Sequence, residues 1–380
     1  MPSDESQGSA ATPAATSHRE RISDKERYSR QVLFPGIGTE GQQRLAAAHV
    51  AVIGCGAMGS ASASLLARAG IGTITIIDRD FVEPSNLQRQ ILFDEDDACQ
   101  SLPKAEAARR HIARFNSAIA VNAHIADLIP GNIAELLGPA GILLDATDNF
   151  ETRYLLNDYA IREAKPWIYA AAISAYAATM NILPVGPDTP NPTACLACIF
   201  PKPPSGNVET CDSAGILSTA VNLAASIQVT EALKYLTGQP HLMRRTLLSF
   251  ELWNPATGPT GSLKSTLDHA EISAASPRPN CEVCGQRIFT HLSGQNRAHI
   301  TLCGRDSVQI HEHHRPVDFA AMRARLAAHT DIQDIRSNDL LLRFRRGPHI
   351  ITLFPDGRAI VQGTTDVMLA RSLYARFVGS

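Results

Sequence analysis

The chain has 380 residues, with 35 Lys and Arg against 37 Asp and Glu and a formal charge of −2. That length can hold two domains and one large core, and the near-neutral balance argues against nucleic acid or an anionic membrane as the main target. No apolar run reaches the ~18 residues of a bilayer span and the N-terminus lacks the pattern of a secretory signal, so a cytoplasmic location is expected.

Residues 1–22 are rich in Ser, Ala, Thr and Pro and too poor in large apolar groups to bury anything, so a disordered tail is expected. Residues 24–31 turn helical and charged and carry Arg27-Tyr28-Ser29-Arg30-Gln31, and residues 42–48 read as a further helix. Residues 50–53 are a continuous apolar run, short enough for a strand buried on both faces of a parallel sheet. Gly54, Gly56 and Gly59 follow at G-x-G-x-x-G spacing. One glycine serves the tight turn, one lets backbone approach a phosphate, and one lets the helix pack on the strand. Residues 60–69 form that helix, its N-terminal amides facing an anion. A strand at 73–77 brings Asp78 to its carboxyl end, where a carboxylate accepts hydrogen bonds from ribose hydroxyls. This unit indicates an adenine nucleotide and leaves a nicotinamide dehydrogenase open. Asn86-Leu87-Gln88-Arg89-Gln90 then sets an amide and a guanidinium where a triphosphate would extend. A dinucleotide needs no such cationic fork there, whereas phosphoryl or nucleotidyl transfer does.

Further along, an acidic run at 94–97 precedes Pro103-Lys104, which opens a helix to residue 115 and offers Lys104 as a phosphate partner. Strands are expected at 121–126 and 142–144, with a short helix at 133–137 between them. The second strand ends on Asp145-Ala146-Thr147-Asp148-Asn149. Asp148 suits magnesium, since hard cations prefer carboxylate oxygens, and Asp145 reads as structural. A helix at 151–164, a strand at 167–172 and an antiparallel strand at 175–184 follow. The fold class is therefore α/β: a doubly wound, Rossmann-like, mostly parallel sheet with antiparallel additions, plus a small C-terminal α+β domain. A Pro-rich loop at 185–215 contains cysteines, which favours function. A long helix at 215–236, a strand at 246–253 and an irregular passage at 254–278 lead to Cys281. The C-terminal part reads as strands at 300–302, 340–345, 349–354 and 359–362 with helices at 318–328 and 366–377, and Pro355-Asp356-Gly357 as a hairpin turn.

In a cytosolic chain eight cysteines serve as metal ligands or reactive thiols rather than disulfides. Cys195-x-x-Cys198 and Cys281-x-x-Cys284 match a four-thiolate zinc site, because each pair can place two sulfurs on one metal. Cys211, near the start of the long helix, is a candidate reactive thiolate, since helix N-termini lower thiol pKa values. Cys55, Cys99 and Cys303 read as packing residues, and His311 to His314 as a solvated linker.

Together RYSRQ at 27–31, the glycine turn, DRDFVEPSNLQRQ, Pro103-Lys104, DATDN, both cysteine knuckles and TCDSAG at 210–215 resemble the ThiF/MoeB/HesA family of adenylyltransferases, bacterial relatives of ubiquitin-activating enzymes. The likeness runs from about residue 27 to residue 287. It implies a homodimer that uses ATP and magnesium to adenylate the C-terminal glycine of a small β-grasp sulfur carrier ending in Gly-Gly, in preparation for thiocarboxylate formation. It further implies that Asp78 holds the ribose, that Asn86, Arg89 and Lys104 hold the phosphates, that Asp148 holds the magnesium, and that Arg30 reaches into the partner subunit's site. Gly54, Gly56, Gly59, Asp80, Gln90 and Asn149 complete the implied nucleotide contacts, and Cys211 matches a position where a thiol takes part in sulfur or acyl transfer. The chain departs from the family pattern at Ala57-Met58, where a second glycine is usual, and in the longer approach to Lys104 at 98–103. The C-terminal part is not rhodanese-like, because Cys303-Gly304-Arg305 does not supply a Cys-headed anion loop, and no activity is assigned to it; the resemblance leaves room for a desulfurase or a separate rhodanese as a sulfur-donor partner. The expected division is a tail at 1–22, an ATP-binding adenylyltransferase domain with a zinc site at 23–290 and a small domain at 291–380. Activation of a peptide C-terminus or a tRNA-linked carboxylate, and a non-catalytic nucleotide-binding scaffold, are the alternatives.

Overall fold

The computed structural model describes residues 23–187, 189–203, 214–254, 256–257, 263–265, 268–293, 307–310, 316–337, 339–355 and 357–378. The tail at 1–22, Cys211, Cys303, the strand expected at 300–302 and the histidines of 311–314 lie outside these residues.

Short helices α1 (Asp24–Arg27) and α2 (Ser29–Val32) and the longer α3 (Gly38–Ala47) lead into β1 (His49–Ile53), α4 (Ala57–Ala69) and β2 (Thr73–Ile77). Then come α5 (Glu95–Gln100), α6 (Lys104–Phe115), β3 (Ala120–His124), α7 (Ile133–Leu137), β4 (Ile142–Asp145), α8 (Phe150–Arg162), β5 (Trp167–Ile173) and β6 (Tyr176–Ile182). After α9 (Leu196–Ile199) and α10 (Ser218–Leu236), β7 (Thr246–Glu251) precedes a small ribbon of β8 (Ala256–Thr257) and β9 (Leu263–Ser265), followed by β10 (Asp268–Ser273).

The main sheet runs β10-β7-β6-β5-β4-β1-β2-β3. Strands β1 to β5 are mutually parallel, and β6, β7 and β10 add antiparallel. Alternation along β1 sends Ala51 and Ile53 to one face and Val50 and Val52 to the other, and each pair joins a separate buried cluster. This double-sided burial explains why the run is apolar throughout. Strand β1 lies between β4 and β2, so the chain order reverses between β1 and β4. In open α/β sheets the crevice beyond the strand ends at such a reversal is where ligands bind.

Helix α4 ends at Gly70 in the left-handed region, φ +88°, where a Cβ would approach the Tyr28 ring to 2.6 Å. The acidic run expected before Pro103 is helix α5. Asp94 and Asp97 bond each other's backbone N–H in a reciprocal cap, and acids in the first turn suit the helix dipole. The passage at 254–278 is not irregular throughout, because β10 pairs antiparallel with β7 from Asp268 opposite Glu251 to Ser273 opposite Thr246.

The C-terminal part is a five-stranded antiparallel sheet in the order β11-β15-β14-β13-β12, built from β11 (Ser307–Ile310), β12 (Gln333–Ser337), β13 (Leu342–Arg346), β14 (His349–Leu353) and β15 (Ala359–Gln362). Helices α11 (Phe319–Ala327) and α12 (Val367–Phe377) cover one face, with Leu326, Phe344, Leu353, Val361 and Phe377 at their common core. No described helix is long and apolar enough to cross a membrane.

Candidate functional site

Two of the three glycines perform the turn and packing duties that their spacing predicts. Gly54 adopts φ +88°, and a Cβ there would meet the Ala146 carbonyl oxygen at 2.6 Å, so the turn after β1 can only lie against the end of β4 without a side chain. A Cβ on Gly59 would fall 1.9 Å from the Gly54 carbonyl oxygen, so this glycine lets α4 close on the turn. Gly56 faces open space, with only the Gln90 amide nitrogen within 4 Å of a built Cβ, at 3.9 Å. That opening is where a phosphate can approach backbone. Ala57 opens α4 without disturbing the turn.

Asp78 follows β2. One carboxylate oxygen accepts from the Cys55 N–H at 2.5 Å and the other from the Asp80 N–H at 2.7 Å. Each oxygen retains a lone pair for a ribose hydroxyl. Burial pushes the carboxyl upward, opposed by the nearby Lys104 ammonium and by these two hydrogen bonds. Segments 80–82 and 102–104 run together: the Lys104 N–H bonds the Asp80 carbonyl at 2.8 Å and the Val82 N–H the Leu102 carbonyl at 2.8 Å. The longer approach to Lys104 therefore still delivers the lysine to the end of β2. Its ammonium, 3% exposed, lies 3.3 Å from Asp80.

Pro84–Asn86 forms a 3₁₀ turn in which Asn86 accepts from the Glu83 N–H at 3.2 Å. Arg89 donates to the Ser85 carbonyl at 2.8 Å, and the Gln90 N–H to the Asn86 carbonyl at 2.9 Å. Asn86, Arg89 and Gln90 thus sit on one folded turn, and the Gln90 amide brings that turn against Gly56. The Gln90 side-chain oxygen is buried and has no hydrogen-bond partner among the described residues.

Beyond β4, Asp145 is fully buried and ion-paired with Arg153 at 3.4 Å, and it accepts from the Thr147 N–H and hydroxyl at 2.9 and 2.7 Å, so it is structural. Asp148 is exposed and has no hydrogen-bond partner among the described residues. Its charge is felt by Arg79, next to Asp78 at the end of β2, one strand beyond β1. Asn149 caps α8, accepting from the Thr152 N–H at 2.9 Å. Sequence reasoning missed Arg153, whose guanidinium bonds the Thr147 carbonyl at 2.6 Å and so fixes the backbone that presents Asp148. The signal was there: an arginine four residues past a capping Asn faces back toward the strand end.

Arg30 stands apart from this cluster. It is exposed, and its neighbours tie α2 to the far end of α4: Gln31 donates to the Ala69 carbonyl at 2.7 Å and Tyr28 accepts from Asn116 at 2.9 Å. Helix α4 spans 13 residues, about 20 Å at 1.5 Å per residue, farther than an arginine side chain can span to its own glycine turn.

The four knuckle cysteines converge. Sulfur distances are 3.8 Å for Cys195 to Cys198, 3.6 Å for Cys195 to Cys281 and 3.4 Å for Cys198 to Cys284. A tetrahedral Zn–S₄ site with bonds of about 2.3 Å has sulfurs about 3.8 Å apart, so the residues fit a zinc ion. A sulfur–sulfur hydrogen bond and burial push the Cys195 thiol well above the usual range, a cost that a divalent cation would remove. Outer groups are already aimed at the sulfurs: Asn157 reaches Cys195 at 3.8 Å, and the Arg278 N–H reaches Cys198 at 3.3 Å. Of the three cysteines read as packing residues, Cys55 is buried, whereas Cys99 is exposed. Cys99 lies on α5, whose outer side borders a cleft.

A profile of the ThiF family matches residues 28–271. The chain is 40% identical over 356 residues to the sulfur carrier protein ThiS adenylyltransferase of Bacillus subtilis (strain 168), spanning 93% of this chain and 99% of that one. It is 33% identical over 268 residues to a sulfur carrier protein adenylyltransferase of Thermus thermophilus, spanning 68% and 90%. Among solved structures, E. coli MccB with MccA-N7isoASN superposes with a TM-score of 0.55 at 24% identity over 68% of this chain and 75% of that one, a likeness of fold.

Proposed function

This chain belongs to the ThiF family, and from that premise we propose that it catalyses ATP-dependent adenylylation of the C-terminal glycine of a small ThiS/MoaD-like sulfur carrier protein. The observation that carries the reading is the convergence of an open glycine turn, an acid at the end of β2 and the Asn86–Arg89 turn on one crevice, in a chain that matches a ThiS adenylyltransferase along nearly its whole length. The experiment that tests it is exchange of labelled pyrophosphate into ATP, which should depend on an added Gly-Gly-ending carrier; exchange with none of a panel of such carriers would overturn it.

The chemistry asks little of side chains as acids or bases. The carrier's terminal carboxylate is already an anion at neutral pH. Its oxygen forms a bond to the α-phosphorus of ATP, the bond from that phosphorus to the bridging oxygen breaks, and the electron pair leaves with pyrophosphate. No proton moves. What the step needs is alignment and neutralised phosphates. Asp78 would hold the ribose, backbone at Gly56 the phosphates, and Asn86, Arg89 and Lys104 the charge that builds on the leaving group. Asp80 keeps the Lys104 ammonium at hand, Gln90 borders the opening beside Gly56, and Asn149 orients the start of α8 next to Asp148. Asp148 would hold magnesium, which when bound supplies positive charge to the phosphates. The partner is the carrier protein, and a separate desulfurase or rhodanese would supply sulfur.

The distance of Arg30 from its own glycine turn supports a homodimer in which this residue completes the partner subunit's site. Leu33 and Phe34, 71% and 61% exposed beside it, offer apolar surface for such an interface. Arg30→Ala and Asp148→Ala should each be inactive as homodimers. Co-expressed with different tags, about half the dimers are mixed, each with one intact site, so about a quarter of the wild-type exchange rate should return. No recovery in the purified mixed dimer would exclude action across the interface.

Zinc at Cys195, Cys198, Cys281 and Cys284 would have a structural part, since four protein ligands leave no open position. Cys211 would serve a later step. Cys211→Ala should leave pyrophosphate exchange unchanged and reduce only thiocarboxylate formation on the carrier, followed by mass spectrometry; impaired exchange would move Cys211 into the adenylylation step.

A further inference from the structure

Between the segment after β2 and the C-terminal sheet lies a cleft of about 570 Å³, within the range of small-molecule sites. Glu83, Ser85 and Cys99 line one wall and Arg336, Arg343 and Arg345 the other. The arginines are placed at a cost to the sheet. Arg336 on β12 stands directly opposite Arg343 on β13, and like charges in directly paired positions destabilise a sheet. Arg345 pairs with Asp334 at 3.0 Å, Arg343 only loosely with Glu83 at 3.9 Å, and Arg336 with no carboxylate among the described residues. Arg343 has a side chain only 19% exposed, with its guanidinium 4.3 Å above the Phe81 ring and its nearest carboxylate, Glu83, at 3.9 Å, beyond hydrogen-bond reach. Arg336 is exposed and has no ion pair among the described residues. Burial, with Arg336 and Arg345 adding to it, lowers the pKa of the Arg343 guanidinium against the pull of Glu83 and Asp334.

We infer that this cleft is a binding site for a small polyanion, phosphate- or carboxylate-bearing, clasped by the guanidinium forks of Arg336 and Arg343 with Ser85 on the opposite wall. Planar guanidinium groups match both oxyanions in pairs of N–H···O bonds. The volume suits a small molecule rather than a protein surface. An occupant would lie against residues 83–85, one residue from Asn86, so the site borders the nucleotide crevice without overlapping the residues assigned to it. The inference stands on the cleft and does not depend on the adenylylation reading.

Cys99 supplies a reporter inside the cleft. In the full-length protein its alkylation by iodoacetamide, read by peptide mass spectrometry, should slow in the presence of inorganic pyrophosphate or of citrate at matched ionic strength. At ten times the dissociation constant the slowing should be about tenfold, because only the free fraction reacts. The anion that protects identifies the phosphate or the carboxylate class. Arg336→Gln, at an exposed position, should keep the melting temperature and pyrophosphate exchange of the wild type and lose the protection. Cys99 alkylated at one rate whether or not either anion is present, or equal protection in Arg336→Gln, overturns the site; the second result would trace the effect to pyrophosphate bound in the nucleotide crevice.

Discussion

Arg89→Ala and Asp148→Ala should each lower carrier-dependent pyrophosphate exchange by about 10²–10³-fold, the usual cost of removing a group that meets charge developing on a leaving oxyanion. Both proteins should stay folded. Among the described residues the Arg89 side chain makes a single hydrogen bond, to the Ser85 carbonyl on its own turn, and Asp148 is exposed without a hydrogen-bond partner, so each substitution should change stability by no more than about 0.5 kcal/mol. Unchanged melting with lost exchange is what separates a group acting on substrate from one holding the fold. Arg89→Lys should recover part of the loss, since a point charge neutralises phosphate but lacks the planar fork. The two variants should also differ in their response to magnesium: excess metal partly offsets the loss of a carboxylate ligand and does nothing for a missing guanidinium. Exchange within threefold of wild type in both variants would remove Arg89 and Asp148 from the site.

What could be read from the chain and what could not divides along physical lines. The βαβ unit at 49–77 was legible because its strands are buried on both faces and its glycines are demanded by backbone contacts of 1.9 and 2.6 Å that no other residue tolerates. Spacing alone paired the cysteine knuckles, although 86 residues separate Cys195 from Cys281. Strand β10 was missed because every residue from Asp268 to Ser273 is exposed and the strand is held by backbone pairing to β7, which leaves no apolar alternation in the sequence. Strand β12 is similar: only Ile335 and Ser337 are even partly buried, and its pairing with β13 is irregular. Helix α5 was hidden by an acidic run that reads as solvated until Asp94 and Asp97 are seen to cap its first turn. The exposure of Cys99 follows from α5 and was illegible with it. Residues proposed to touch ligand thus stand out in the sequence more than those that hold their backbone: Arg153 shows its part only when its bond to the Thr147 carbonyl is seen.

Removing zinc should loosen one side of the molecule and spare the other. Metal analysis should find one zinc per chain, and Cys281→Ser should lose it. Structural zinc contributes about 10–16 kcal/mol of folding free energy in isolated finger peptides; here the ribbon on either side of the site is also fastened by protein contacts, so only part of that should appear. Ala194 N–H bonds the Ala274 carbonyl, Leu196 N–H bonds Asn157 at 2.8 Å, and the segment after the second knuckle is held by Asp158, which accepts from the His291 and Leu292 N–H groups at 2.9 and 3.2 Å. The glycine turn, by contrast, is braced by α4, α10 and the central strands, including Gln228 on α10, which donates to the Asp145 and Ile168 carbonyls at 2.7 and 2.9 Å. Chelation should therefore lower the melting temperature and speed amide exchange around residues 189–203 and 276–292, while exchange at 50–60 and nucleotide affinity change little. Uniform acceleration across both regions would make the metal a support of the whole domain, and less than half an equivalent of zinc in protein whose four thiols remain reduced would mean that the sulfurs gather without a metal.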